Sequence, residues 1–133
     1  MENIDFESTR KWEVVDITDL VEKLIPPDEN GFCFVRSPHT TAALLVGDTH
    51  PNLIKDYERT AQVLLADARP FLHDGKDGPN AEGHVFSWLH GSDIILPVEN
   101  GKLKLGKLQR ILFVDTDGPR KRRVTVKMMP KSK

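Results

Sequence analysis

The sequence predicts an α+β fold with an antiparallel sheet, and three observations lead to this class. Apolar runs typical of strands lie early in the chain, at 12–17, and recur through its last third. Segments with helical spacing cluster between them, at 51–69 and 80–90. The chain has neither the strand–helix–strand alternation of a parallel sheet nor a glycine-rich phosphate loop.

Composition limits the classes of protein that this chain can be. Its 133 residues suit one domain, 1–133, and 38% hydrophobic with 29% charged residues is typical of a soluble globular protein. No apolar run approaches the roughly 20 residues that span a bilayer, so we expect no membrane partner. A net charge of −1 gives no global indication of a nucleic-acid partner. An acidic start without an apolar signal core, and the single cysteine Cys33, indicate a cytoplasmic protein.

The first third of the chain predicts three strands and a short helix. The loose alternation at 12–17 and the Phe- and Val-rich segment 31–36 each indicate a strand, and the apolar run 40–46 indicates a buried one. Asp19, with a glutamate three residues later, is a capping signal for a short helix, which a Pro-Pro pair then ends.

The clearest predicted helix starts with Pro51 at its first position and ends at Arg69-Pro70. Polar residues before Pro51 can cap it. Ile54 and Leu65 widen an apolar stripe that we expect to face the core. The stripe consists of Leu53, Tyr57, Ala61, Leu64 and Ala68.

A loop at 72–80 leads into a second, short helix. Asn80 is expected to cap this helix, which runs to His90 and ends at Gly91 in the left-handed αL conformation. The loop is indicated by Gly75, Gly78 and Pro79.

The last third predicts four strands in two antiparallel pairs, joined by the Glu99-Asn100-Gly101 and Asp117-Gly118-Pro119 turns. The predicted strands are 94–98, 103–105, 109–116 and 124–129. A basic cluster overlaps the final strand, and we interpret it as the solvated face of an edge strand with a frayed tail. The cluster consists of Arg120, Lys121, Arg122, Arg123, Lys127, Lys131 and Lys133.

Three motifs in order carry a resemblance to a known family. The first is Ser37-Pro-His-Thr-Thr-Ala-Ala-Leu-Leu-Val46, followed by Asp48 and a helix that contains Asp56. The second is Asn80-Ala-Glu-Gly-His84, running through Ser87 to Ser92. The third comprises 96–106, Gln109 and the run from Asp115 through Arg122. Together they resemble the YjbQ-like family, often labelled secondary thiamine-phosphate synthase. The chain departs from the family pattern at Gly47-Asp48, where Asn-Glu is usual, and at 106–109, where Gly-Thr-Trp-Gln is frequent.

The resemblance implies two mainly antiparallel β-sheets packed as a sandwich with a few mid-chain helices. It also implies a homotrimer with histidine-lined pockets between subunits. The activity that it implies is a weak thiamine-phosphate synthase, which joins a pyrimidine pyrophosphate to a thiazole phosphate. The partners expected from it are a small phosphorylated substrate and further copies of the chain.

Three of the five histidines, His39, His73 and His84, match histidine positions of the family. Imidazoles from three separate elements can form a three-ligand site with an open position, so a divalent metal such as zinc is expected there. The alternative is that each imidazole makes an ordinary hydrogen bond or faces solvent. His50 and His90 are interpreted as surface or capping residues.

His39, His84 and Asp56 are the candidate catalytic residues. A carboxylate at Asp56 can orient an imidazole or act as a base, or it can be a solvated helix charge paired with Arg59 or Lys55. The candidate substrate-binding residues divide between phosphate ligands and polar neighbours, several with structural alternatives. They are Thr40, Thr41, Asp48, which can instead cap the long helix, Asn80, Ser87, which can instead pack, and Arg120 and Arg122, which can instead pair with Asp115 or Asp117.

Three functions therefore follow as hypotheses. The leading one is a transferase of the thiamine-phosphate synthase type, in which charge neutralisation at the leaving pyrophosphate matters more than a covalent nucleophile. A metal-dependent hydrolase is the second. A non-catalytic trimeric protein that binds a metabolite or a metal is the third.

Overall fold

A computed structural model describes residues 1–75 and 79–132 of the chain. Gly78 of the predicted loop and Lys133 of the basic cluster lie outside the described residues. The elements are β1 (Glu2–Glu7), β2 (Glu13–Asp16), α1 (Thr18–Glu22), β3 (Gly31–Arg36), β4 (Ala42–Gly47), α2 (Pro51–Ala66), a 3₁₀ turn (Leu72–Asp74), α3 (Ala81–His90), β5 (Asp93–Glu99), β6 (Lys102–Leu103), β7 (Arg110–Asp115) and β8 (Lys121–Pro130). No helix among the described residues is long and apolar enough to cross a membrane.

The strands form two sheets, and every neighbouring pair is antiparallel. The larger sheet has the order β1-β8-β3-β5-β6, and the smaller one has the order β2-β7-β4. Their inner faces share one buried core, in which Phe6 of β1 meets Phe113 of β7 with ring centroids 4.9 Å apart. The predicted α+β fold of two mainly antiparallel sheets with mid-chain helices is therefore confirmed.

The β5–β6 hairpin forms where the Asn-Gly turn predicts it. Asn100 and Gly101 both have positive φ, at 51° and 76°, as the two central residues of a type I′ turn require. A side chain at Gly101 would also collide with the backbone carbonyl of Pro27, at 2.2 Å from the added Cβ. The turn therefore packs against the segment that follows α1.

The last strand is not at an edge, which corrects the interpretation of the basic cluster. β8 lies between β1 and β3, so its odd-numbered side chains face solvent while Arg122 points inward. The prediction missed β1, which supplies the edge. Its apolar residues, Ile4 and Phe6, are too few to stand out from an acidic segment.

The predicted core stripe of α2 is wrong at four of its five positions, whereas Ala61 lies inward together with Ile54 and Leu65, which were expected to widen the stripe. Leu64 is 66% exposed, and Leu53, Tyr57 and Ala68 are also exposed, while Leu65 is 6% exposed. The helix is rotated by about one residue, so that the face running from Ile54 through Glu58 and Ala61 to Leu65 lies inward. The Glu58 carboxylate gives the physical reason.

Glu58 connects α2 to the start of the smaller sheet. Its Oε2 accepts a hydrogen bond from the backbone N–H of Val14 at 3.0 Å and pairs with Arg10 at 3.2 Å. A carboxylate satisfied in this way must face the sheet, and it turns the helix accordingly. The apolar residues around Leu64 therefore face away from the smaller sheet.

The start of α1 differs from expectation, whereas the start of α2 agrees with it. The short helix α1 starts one residue before Asp19, and Asp16 accepts the Thr18 N–H and hydroxyl at 3.0 and 2.7 Å instead. At α2, the His50 ring accepts the Asn52 N–H at 3.2 Å, which confirms His50 as a capping residue.

Candidate active site

A polar cavity of about 330 Å³ lies where the start of β4, the start of α3 and the β7–β8 turn meet. It brings together both threonines, two of the three predicted histidines, the asparagine and both arginines of the predicted site. Its lining residues are Pro38, His39, Thr40, Thr41, Asn80, His84, Asp117, Arg120 and Arg122. Residues far apart in sequence therefore converge at one cavity within a single chain.

A glycine allows α3 to approach the strands closely enough to form this cavity. A Cβ at Gly83 would lie 2.3 Å from Oγ1 of Thr116 and 3.5 Å from Cβ of Thr41. Thr116 in turn donates its hydroxyl and its backbone N–H to the Thr41 carbonyl, at 2.6 and 3.1 Å. The helix start is thus fixed against the joined ends of β4 and β7.

Arg122 forms the floor of the cavity, and its guanidinium is ion-paired with the carboxylate of Asp115. Its Nε and Nη2 donate to the two carboxylate oxygens of Asp115 at 2.8 and 2.6 Å, and Nη2 also reaches Thr41 Oγ1 at 3.2 Å. Arg122 is 5% exposed and Asp115 is fully buried. Of the two alternatives for Arg122, the structure contains the salt bridge, within one subunit.

The environment of Asp115 favours its charged form. Burial raises the pKa of a carboxyl group, but hydrogen bonds from Arg122, Ser8 and the Asp117 N–H, with the charge of Arg122, outweigh it. The pKa of Asp115 is therefore lowered from its ordinary value. The pair remains ionised and fully hydrogen-bonded beneath the cavity.

A chain of hydrogen bonds crosses the opposite wall. Arg120 donates to the Asp117 carboxylate at 3.2 Å and to its backbone carbonyl at 2.8 Å. The same carboxylate oxygen accepts the Asn80 side-chain amide at 3.2 Å, and Asn80 Oδ1 lies 2.8 Å from Nε2 of His73. Asp117 can only accept, so Asn80 must direct its carbonyl at His73, and His73 Nε2 carries the proton.

The same chain of contacts explains why Asn80 does not cap α3 with its side chain, as was predicted. Its amide is engaged with Asp117 and His73, and Asp74 Oδ1 accepts the Ala81 N–H at 2.9 Å instead. At the other end of the helix, Gly91 has φ 91° and ψ 171°. This conformation has the positive φ that favours glycine, but it is more extended than the predicted αL form.

His39 closes the cavity next to the larger sheet. Its Nε2 lies 3.0 Å from both the N–H and the carbonyl of Arg123, on the part of β8 that extends beyond the last β3 pair, Arg36 with Thr125. A neutral imidazole can accept that N–H, which has no strand neighbour on this side. Burial, and then the nearby charge of Arg122, lower the pKa of His39 from its ordinary value.

The three predicted metal ligands do not form a zinc site within one chain. His73 and His84 are in edge-to-face contact with ring centroids 5.0 Å apart, but His39 Nε2 is engaged with Arg123. Across residues 1–75 and 79–132, no group of three or more His, Cys, Asp or Glu side chains is placed to hold a metal ion. A metal at His39, His73 and His84 stays a prediction for the assembled protein.

Three other predicted residues lie away from the polar cavity. Asp56 is exposed on α2 and lines a second, apolar cavity. Asp48 accepts the His50 N–H at 2.9 Å just before α2, in keeping with its structural alternative. Ser87 is buried within α3 and does not line the polar cavity.

Sequence reasoning missed the roles of two acids that hold the site together: it considered Asp117 only as a partner of the arginines, and it did not consider Asp74. Asp117 orients both Arg120 and Asn80, and Asp74 holds the start of α3. The sequence signal for Asp117 was its position two residues after Asp115, at the end of a predicted strand. Asp74 gave no signal, because its role depends on a loop that only the fold brings to α3.

Comparison with known proteins covers nearly the whole chain. Residues 2–131 match the family described as UPF0047 protein YjbQ-like. A UPF0047 protein of Archaeoglobus fulgidus is 38% identical over 95% of this chain and 98% of its own length. The UPF0047 protein YugU of Bacillus subtilis is 31% identical over 97% of this chain and 98% of its own length.

Solved structures agree with this assignment. A hypothetical protein from Aeropyrum pernix superposes with a TM-score of 0.89 at 36% identity, covering 98% of this chain and all of the other. A protein of the yjbq/upf0047 family from Clostridium acetobutylicum superposes with a TM-score of 0.88 at 30% identity, covering 97% of this chain and all of the other. The chain belongs to the YjbQ-like UPF0047 family.

Proposed function

We propose that the polar cavity binds a small phosphorylated substrate and that the protein is a transferase of the thiamine-phosphate synthase type. The observation that supports this most directly is the state of Arg120. Its side chain is half-exposed at the cavity, and it uses Nε and Nη2 on Asp117. Within the described part of the chain its Nη1 makes no hydrogen bond, so a guanidinium edge is left for phosphate oxygens.

The arrangement around Arg120 suits an anion of moderate charge. Arg122 and Arg120 each have an acidic partner, Asp115 and Asp117, so the two pairs together carry no net charge. Beside the open guanidinium edge of Arg120, the cavity offers the hydroxyl of Thr40 and the ring of His84. Such donors can orient phosphate oxygens without a large electrostatic preference for any anion.

The proposed reaction is a substitution at carbon. The ring nitrogen of a thiazole phosphate attacks the methylene carbon of a pyrimidine pyrophosphate, a C–N bond forms, the C–O bond breaks, and pyrophosphate leaves with the bonding electrons. Arg120 and His84 are placed to stabilise the negative charge that develops on the leaving group. His39, whose pKa is lowered, lines the same cavity and can hydrogen-bond the substrate as a neutral imidazole, since this substitution releases no proton for a base to accept.

A homotrimer and a divalent metal such as zinc remain part of the proposal. The larger sheet has an apolar half on its outer face, which no helix of the described chain covers, and a second copy can bury it. This surface consists of Phe32, Phe34, Ile95, Pro97 and Met129. We also propose that the protein acts in the cytoplasm.

A direct assay tests the reaction. The protein is incubated with the pyrimidine pyrophosphate and the thiazole phosphate, and coupled product is measured against variants Arg120→Gln and Arg59→Gln. Arg59 is an exposed α2 residue outside the polar cavity and is the matched control. We expect product from the wild type and from R59Q, and a loss of about tenfold or more for R120Q, as for a charge-assisted contact to phosphate.

Charge balance in the cavity also favours a second candidate, a non-catalytic protein that binds a phosphorylated metabolite. Calorimetry with the thiazole phosphate separates the two. Saturable binding that R120Q weakens, without any coupled product, supports the binding protein and rejects the transferase. Failure of the wild type to bind either substrate rejects both.

A further inference from the structure

A second cavity, of about 430 Å³, lies on the far face of the smaller sheet, between that sheet and helices α2 and α3. Its walls are mostly apolar. Strand residues and Trp12 form the floor, and the outward-rotated face of α2 forms a rim with Tyr57 and Leu64. The volume is in the range of small-molecule sites, and aromatic and aliphatic walls of this kind bind the body of an organic ligand.

The two carboxylates at this cavity differ in what they contact. Glu58 is satisfied by the Val14 N–H and by Arg10. The side chain of Asp56, also on α2, is exposed, and its carboxylate makes no salt bridge or hydrogen bond with any described residue. The histidine of the lining, His90, packs its ring against Phe86 with ring centroids 4.4 Å apart. Asp56 is therefore the acid of this cavity that has no salt-bridge partner among the described residues.

We propose that this apolar cavity binds a small organic cation, an aromatic or aliphatic body that carries a protonated amine. The body packs against Trp12, Phe86 and Leu64, and the ammonium pairs with Asp56. Tyr57 directly follows Asp56 in sequence and lines the same cavity, so its ring is available for a cation–π contact with the ammonium. This site is separate from the polar cavity and does not depend on the phosphate chemistry proposed there.

Charge decides between classes of ligand at this site. Arg10 is already paired with Glu58, and Lys55 and Arg59, the cations next to Asp56 on α2, line a different depression. An anion inside the apolar cavity would therefore face the carboxylate of Asp56. A neutral molecule would gain the apolar contacts alone. A cation gains both, and it removes the unpaired charge that the rim presents.

The test is calorimetry on the full chain with 2-phenylethylamine, and with 3-phenylpropionate as an anion of similar size. We expect saturable binding of the amine and about tenfold weaker binding of the carboxylate, since one contact changes from attraction to repulsion. Asp56→Asn should weaken amine binding about fivefold and abolish the preference for the cation. Asp67→Asn, just beyond the end of α2 and outside the cavity, should bind as the wild type does.

A filling variant completes the test. Ala61→Phe places a ring in the cavity and should abolish amine binding, while Val63→Phe, on an exposed position of the same helix outside the cavity, should not. Equal affinities for amine and carboxylate, or an unchanged affinity in D56N, would overturn the proposal. So would absence of amine binding together with a change of sedimentation coefficient in A61F, which would identify a second copy of the chain as the occupant.

Discussion

Arg122 and Asp115 form a two-point ion pair beneath the polar cavity, and almost none of either side chain is exposed to solvent. The pair joins β7 to β8, strands that belong to different sheets. It holds the turn that carries Asp117 and Arg120 against the start of β4, because Arg122 also contacts Thr41. The geometry of the cavity therefore depends on a charge pair that never has to touch a ligand.

Breaking this pair should be costly. Arg122→Met leaves Asp115 buried without its partner, and we expect the free energy of unfolding to fall by about 3–5 kcal/mol. Urea unfolding followed by circular dichroism measures it. The double variant Arg122→Met, Asp115→Leu should recover much of the loss, because it removes both buried charges. A loss below about 1 kcal/mol in the single variant would contradict the burial of the pair.

The orienting role of Asp117 predicts a different pattern. Asp117→Asn weakens its contact with the half-exposed Arg120, which should change stability by no more than about 1 kcal/mol. Binding of the thiazole phosphate should nevertheless weaken severalfold, because neither Arg120 nor Asn80 is then held in place. Calorimetry together with thermal unfolding separates the two effects. A large loss of stability with unchanged affinity would assign Asp117 a structural role instead.

His39 predicts how stability depends on pH. Its folded-state pKa is lowered below the ordinary 6.5, so between the two values the unfolded chain binds more protons than the folded one. The contribution of His39 to stability is therefore present above about pH 6.5 and is lost as the pH falls through the folded-state pKa. His39→Gln should reduce this pH dependence in urea unfolding measured from pH 7.5 down to 5. An identical slope in wild type and variant would contradict the assignment.

The close approach of α3 predicts the effect of one methyl group. Gly83→Ala places a Cβ 2.3 Å from Thr116 Oγ1, so the helix or the strand end must shift, at a cost of about 1–3 kcal/mol. Gly75→Ala has nothing within 4 Å of its added Cβ and should be close to neutral. Chemical denaturation of both variants measures the difference. Equal stabilities would show that α3 does not press on the strands in this way.

The rotation of α2 is tested by two neighbouring leucines. Leu65→Ala should cost about 2–5 kcal/mol, because Leu65 is buried, while Leu64→Ala should cost less than about 1 kcal/mol. The comparison uses one residue type and one helix, so helix propensity cancels. A larger loss at Leu64 would support the stripe that the sequence alone predicts.

Much of the fold could be predicted from local patterns. The strand 31–36 and the turn at Asn100-Gly101 lie where the sequence places them, because apolar runs and glycine conformations act locally. The rotation of α2 could not be predicted, because Glu58 and Val14 are far apart in sequence. The interior position of β8 depends equally on β1, whose two apolar residues gave no clear strand signal.

The sequence also predicted only some features of the candidate site. The motifs name His39, Asn80, His84 and Arg120, and the fold brings these four residues to the lining of one cavity. The motifs did not show that Arg122 is buried and paired with Asp115, while Arg120 keeps one edge of its guanidinium open to the cavity. That difference arises from which arginine points into the core, and strand alternation settles it only once the neighbours of β8 are known.

The position of β8 has a consequence for synthesis on the ribosome. β1 and β3 emerge early, but the strand that pairs with both is near the other end of the described chain, with Ile4 joined to Val124 and Val35 to Val126. Until β8 leaves the exit tunnel, both early strands present open edges that can pair with another nascent chain. The larger sheet is therefore completed only once β8 has emerged, and products truncated before β8 should be prone to aggregate.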